Sequence, residues 1–130
     1  MRDIGFRGKR IDNGEWVYGY YYHSTINGLD YIADFKDTRA EQVDPETVGQ
    51  YTGLTDKNGK KVYEGDICRD KLGETRKVVF IESWGAFATR LIWGLDADGN
   101  PVKVFGGSRN FWNDSTDYEV IGNIHDNPEQ

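Results

Sequence analysis

The sequence predicts an all-β protein, and three observations carry that prediction. Turn signals recur along the chain at Asp12-Asn13-Gly14, Asn27-Gly28, Asn58-Gly59 and Asp98-Gly99. Asn-Gly and Asp-Gly supply the positive φ values that tight hairpin turns require. Between the turns lie short runs rich in β-branched and aromatic residues, which suit a pleated surface. No stretch holds a 3.6-residue apolar period over three turns, so no amphipathic helix is expected.

The elements follow in order. The clearest strand is Glu15 to Tyr22. At period two, Trp16, Tyr18, Tyr20 and Tyr22 share one face, while Val17, Gly19 and Tyr21 share the other. Both faces carry large apolar groups, so the strand is expected to be buried on both sides. Phe6 to Ile11 pairs with it across Asp12-Asn13-Gly14, and Leu29 to Phe35 supplies a third strand. Asp37 to Glu46 is polar and reads as a connection, with Asp44 capping a short helical turn that starts at Pro45. Val48 to Leu54 resumes extended structure.

Further strands are expected near Lys61 to Cys68, Arg76 to Ile81, Ala86 to Ile92, Pro101 to Phe105 and Tyr118 to Ile124. The run Lys77 to Ile81 is nearly all apolar, as for a strand covered on both faces. Gly106 to Asn110 reads as a flexible loop, and Asn127 to Gln130 as a frayed tail. Five short strands in this half suit a small barrel or a strongly bent sheet.

A chain of 130 residues is the size of one domain. It can bury roughly two-thirds of the surface its unfolded form exposes, so it needs no disulfide or metal to build a core. The one cysteine, Cys68, allows no internal disulfide and reads as a small buried hydrophobe. The opening Met1-Arg2-Asp3-Ile4 has no apolar leader, and no apolar run reaches the ~20 residues of a membrane span. A soluble, cytoplasmic chain with no membrane association is expected. The net charge of −6 counts against binding to a nucleic acid, because a polyanion needs a local excess of Lys and Arg. The densest basic stretch, Arg7-Gly8-Lys9-Arg10, reads as a solvated strand end.

Catalytic and metal motifs fail one by one. Around Asp56-Lys57-Asn58-Gly59 the glycine falls at the fourth position of a calcium loop instead of the sixth, and a loop counted from Gly99 puts Gly94 and Phe105 where carboxylates are needed. His23, Cys68 and His125 are too far apart in sequence to signal a zinc site. No phosphate loop, hydrolase elbow or zincin string occurs. Glu64 and Asp66 flank Gly65, and this spacing reads as a turn into a strand in which Asp66 bonds local amides. No catalytic residue, cofactor or metal is expected. The remaining candidates are aromatic. Trp84, Phe87 and Trp93 fall in one hairpin region, and Phe111 and Trp112 follow the loop that holds Arg109. Such rings serve core packing, a subunit interface or a ligand contact. Tyr21, Trp84, Trp93, Arg109 and Trp112 are the interaction surface that the sequence offers.

Three segments, taken together, resemble the YopX family of phage and prophage proteins. They are Ile4-Gly5-Phe6-Arg7-Gly8-Lys9 at the start, the long run Val48 to Ile67 that contains Tyr51-Thr52-Gly53-Leu54-Thr55-Asp56-Lys57-Asn58-Gly59, and Tyr118 to Pro128 at the end. Gly5 departs mildly from the pattern, since a longer side chain suits a strand better. The resemblance implies a β-rich chain with an N-terminal β-meander over 1–47 and a C-terminal SH3-like barrel over 48–127. It implies no enzyme activity. It gives the motif residues structural work: Asn58-Gly59 turns, Tyr63 and Ile67 face inward, and Gly53 and Gly65 permit bends.

The expected function is therefore that of a non-enzymatic accessory protein in the cytoplasm of a bacterial host. It would act on a protein partner or on itself as a homo-oligomer built through part of the N-terminal sheet. A nucleic-acid-associated SH3-like module is the alternative, on fold analogy only. An enzyme using Glu64 and Asp66 ranks last.

Overall fold

In the computed structural model the chain is almost entirely antiparallel β-structure, and residues 5–71, 73–83, 85–95, 101–103, 108–110 and 118–126 are described. The chain forms two compact units, Met1–Gly53 and Leu54–Gln130.

The first unit holds β1 (Phe6–Lys9), β2 (Trp16–His23), β3 (Asp30–Asp34), β4 (Ala40–Gln42) and most of β5 (Gly49–Thr55). Its sheet order is β4-β3-β2-β1-β5. The expected hairpins form where the turn residues place them. The N–H of Gly14 donates to the Arg10 carbonyl at 3.0 Å, and that of Gly28 to the Ser24 carbonyl at 2.9 Å. Strand β4 lies inside the segment expected to be a plain connection. A turn over Phe35–Asp37 makes it reachable, with Thr38 at φ 59° and the Asp34 and Asp37 carboxylates accepting nearby amides. A 3-10 turn at Pro45–Thr47 follows, capped by Asp44 as expected.

The sheet of the first unit curls. Beyond β4, Val43 bridges back to Arg10, and Ile11 donates to the Gln42 carbonyl at 3.1 Å. This closure encloses one face. Val17, Ile32 and Val43 are its buried core, with Phe6, Tyr21 and Val48 packed against them. Gly19 sits on this inner face under severe crowding, since a Cβ there would lie 1.8 Å from the Ala33 carbonyl oxygen.

The curl corrects the expectation that β2 is buried on both sides. Val17 and Gly19 are buried, whereas Tyr18, Tyr20 and Tyr22 are exposed. So short a unit can wrap one apolar face, and it wraps the one that holds Val17 and Gly19. Gly5 also has a reason. A Cβ there would approach the Phe35 ring to 2.9 Å, so the small residue makes room for that ring.

The second unit contains β6 (Lys61–Tyr63), β7 (Asp66–Arg69), β8 (Thr75–Ile81), β9 (Ala86–Leu95), β10 (Pro101–Lys103), β11 (Ser108–Asn110) and β12 (Glu119–Asn123). Four of these pair in the order β10-β9-β8-β7 and β12 adds beside β7, while β11 pairs with β9. The stretch Lys61 to Cys68 is two strands, because Gly65 at φ 92° turns the chain between them. Ser108–Asn110, expected in a loop, is a strand in register with Ala88–Arg90. The core is Val62, Cys68, Val78 and Tyr118, joined by Leu54 and Val120. Strand β8 is buried on one face only: Arg76 and Val78 are buried there, with Phe80 exposed at the end of that row, while Lys77, Val79 and Ile81 on the other face are half-buried. Tyr63 and Ile67 face inward as expected. The Asp98-Gly99 turn and the tail from Asn127 lie outside the described residues. Among the described residues no helix is long and apolar enough to cross a membrane.

Candidate functional site

Strand pairing decides which side chains share the outer face of the first sheet. Directly opposed residues of antiparallel strands point the same way. Tyr18 opposes Arg7, Trp16 opposes Lys9, Tyr22 opposes Tyr31 and Tyr20 opposes Ala33. The outer face thus carries Trp16, Tyr18, Tyr20, Tyr22 and Tyr31, and Phe35 continues the Tyr31-Ala33 row.

These rings are organised in pairs. Tyr22 stacks on Tyr31 at a centroid distance of 5.4 Å and an interplanar angle of 19°. Tyr20 meets Phe35 edge-on at 4.9 Å and 87°. Both are favoured aromatic geometries. At the β1 end the Arg7 guanidinium lies 4.6 Å over the Trp16 ring and the Lys9 ammonium lies 5.5 Å from it. The rings stay open to solvent: Tyr18 is 42% exposed, Tyr20 59%, Tyr22 45% and Phe35 45%.

Charge is divided between the two faces. The strand carboxylates Asp30, Asp34 and Glu41 oppose His23, Gly19 and Ile32, which places them on the inner side. Each is engaged there. Asp30 accepts from the Tyr21 hydroxyl at 2.6 Å and contacts His23 Nδ1 at 3.0 Å. The Tyr21 bond, then the His23 bond, holds the Asp30 carboxyl below its ordinary pKa, and the same carboxylate raises that of Tyr21. Glu41 pairs with Arg10 at 3.2 Å. Asp34 accepts the Lys36 N–H at 2.7 Å. Among the described strand residues of the outer face in this unit, none is a carboxylate.

Of the interaction residues offered by the sequence, Tyr21 lies on the inner face. Its ring packs 5.8 Å from Phe6 and its hydroxyl is held by Asp30. Trp93 lies in β9 opposite Thr75 and Lys103, and Arg109 in β11 opposite Thr89. The side chains of Trp93 and Arg109, and all of Trp84 and Trp112, lie outside the described residues. The rings that do gather in the open belong to the strand expected to be buried on both sides, the strand of the N-terminal sheet to which self-association is assigned. Their period-two spacing along Trp16 to Tyr22 was the available signal.

Among the described residues of the second unit, the buried polar groups Asp66 and Arg76 bond within the fold. Asp66 accepts the Tyr63 N–H at 2.8 Å, as expected of a turn residue. Arg76 donates to the Thr89 hydroxyl at 2.9 Å, inside the core. Burial, with Asp66 and Asp56 nearby, pushes the Cys68 thiol far above its ordinary pKa, which removes the reactive thiolate. Among the described residues no group of three His, Cys, Asp or Glu side chains gathers as metal ligands do.

Comparison with protein-family models gives a match over nearly the whole chain. The model of a family described as YopX protein matches residues 5–130. Among curated proteins none matches the chain.

Proposed function

The chain belongs to the YopX protein family, and from that membership together with the open aromatic face we propose a non-enzymatic accessory protein of a phage or prophage that works by binding. The contact surface in this reading is the outer face of the first sheet, and the setting is the cytoplasm of the bacterial host. One observation carries it. Tyr18, Tyr20, Tyr22 and Phe35 lie together on one sheet face with 42–59% of each exposed. Contiguous apolar patches of this kind on soluble chains mark interaction sites. The absence of catalytic motifs in the sequence supports the non-enzymatic part. The strand order β10-β9-β8-β7-β12 is consistent with the SH3-like barrel proposed for the second unit.

Affinity capture from induced host cells tests this reading. The wild-type chain is expected to retain a partner that a Tyr20→Ser/Tyr22→Ser chain loses. Identical captures by the two chains would contradict it.

A further inference from the structure

We infer that the outer face of the first sheet binds single-stranded nucleic acid, with bases stacked on its open tyrosines and phosphates drawn to the cations at its margins. The inference rests on the reading of this face as a contact surface and names its occupant.

The rings supply a stacking platform. Every base has a π-face, so exposed aromatic side chains on a sheet bind single strands with little regard to sequence. Tyr20, Tyr22 and Tyr31 lie on adjacent strands in register. Residues two apart along one strand are about 7 Å apart, which leaves room for separate bases on Tyr20 and Tyr22.

The charge pattern favours a polyanion at this place despite the net charge of −6. Lys9 shares the face with the rings. The turn beyond Phe35 adds Lys36 and Arg39, both exposed. The carboxylates of that turn point back into it. Asp34 accepts the Lys36 N–H at 2.7 Å and Asp37 the Arg39 N–H at 2.9 Å. The strand carboxylates Asp30, Asp34 and Glu41 belong to the inner side. The strand carboxylates of this unit are therefore turned away from its rings.

The same features disfavour a second copy of the chain as occupant. Four rings about half exposed offer roughly 300–500 Å² of a typical aromatic side chain's surface. A stable protein interface needs about 800 Å² from each side. A two-fold contact would also bring the cation-bearing face against itself.

The test is a titration of the full chain into labelled twelve-nucleotide dT and U oligomers, read by fluorescence anisotropy at several salt concentrations. Sedimentation of the unbound chain runs alongside. Binding that weakens with salt is expected. Tyr20→Ala and Tyr22→Ala should each weaken it about 5-fold or more. Lys9→Gln should lower the slope of log affinity against log salt by about 1, while Ile26→Ser, in the exposed hairpin turn, should leave binding unchanged. Circular dichroism confirms that each variant is folded. No binding to either oligomer at low salt would overturn the inference, and capture from host cells then judges the contact surface on its own. Binding unaffected by both tyrosine variants would overturn it as well. A dimer that Tyr20→Ala dissociates, with no oligomer bound, would assign the face to a second copy instead.

Discussion

The carboxylate of Asp56 holds the main chain of Val120, 64 residues further on, through a 2.9 Å bond from the Val120 N–H to Oδ2. Its other oxygen, Oδ1, accepts the N–H groups of Asn58 and Lys60, each at 2.9 Å. One buried side chain thus closes the Asn58-Gly59 turn and fastens the last strand of the second unit. Replacing Asp56 by Asn puts an amide donor against at least one backbone N–H. A loss of about 1–3 kcal/mol is expected in denaturant unfolding, the usual cost of a buried donor left unpaired.

Acid should act through the same group. Burial by itself raises the Asp56 pKa, but the bonds from Val120, Lys60 and Asn58, with the Lys60 charge, outweigh it and the folded value is lowered. A lowered folded pKa gives stability that is present above the unfolded value, about 3.9, and lost as pH falls through the folded one. Stability measured against pH should fall below about 4, and the fall should be shallower in Asp56→Asn.

Gly59 sits at φ 81° with nothing near the position of an added Cβ. Space is therefore no obstacle, and a substitution there tests the backbone alone. Gly59→Val should cost about 1 kcal/mol or more, because a β-branched residue resists positive φ. An unchanged denaturation midpoint would count against this turn.

Gly19 tests the opposite case. Its obstacle is the Ala33 carbonyl oxygen, 1.8 Å from the position of a Cβ, and backbone cannot rotate aside as a side chain does. Gly19→Ala should separate β2 from β3 and lower stability by about 1–3 kcal/mol, the range of overpacked sites. Tyr20→Ala, two atoms of backbone away but outward, should cost only about 0.5–1.5 kcal/mol for its lost ring pair.

Much of the fold could be read directly. Asn-Gly and Asp-Gly turns, the cap at Asp44 and the bend at Gly65 depend on local backbone preference, and local preference is written in the residues themselves. The inward face of the first sheet was not legible. In Asp30-Tyr31-Ile32-Ala33-Asp34 the alternation puts two carboxylates on the side of Ile32, which reads as the wet face. It is the buried one at its centre, because Tyr21 and His23 take up Asp30 while turn amides take up Asp34. Strand β4 was hidden for a similar reason. Its polar Ala40-Glu41-Gln42 has no strand pattern of its own, and it is a strand because β3 offers it an edge. The division of charge between faces likewise depends on register across strands, which net charge cannot report.

The central claim is that the outer tyrosines of the first sheet are kept open for a partner. Tyrosine nitration, mapped by mass spectrometry on the free chain and on the chain recovered with its partner from induced host cells, tests it most directly. Tyr18, Tyr20 and Tyr22 should react in the free chain and be protected in the recovered complex, while buried Tyr63 and Tyr118 stay unmodified in both. Equal nitration of Tyr18, Tyr20 and Tyr22 in the free and bound chain would contradict the claim.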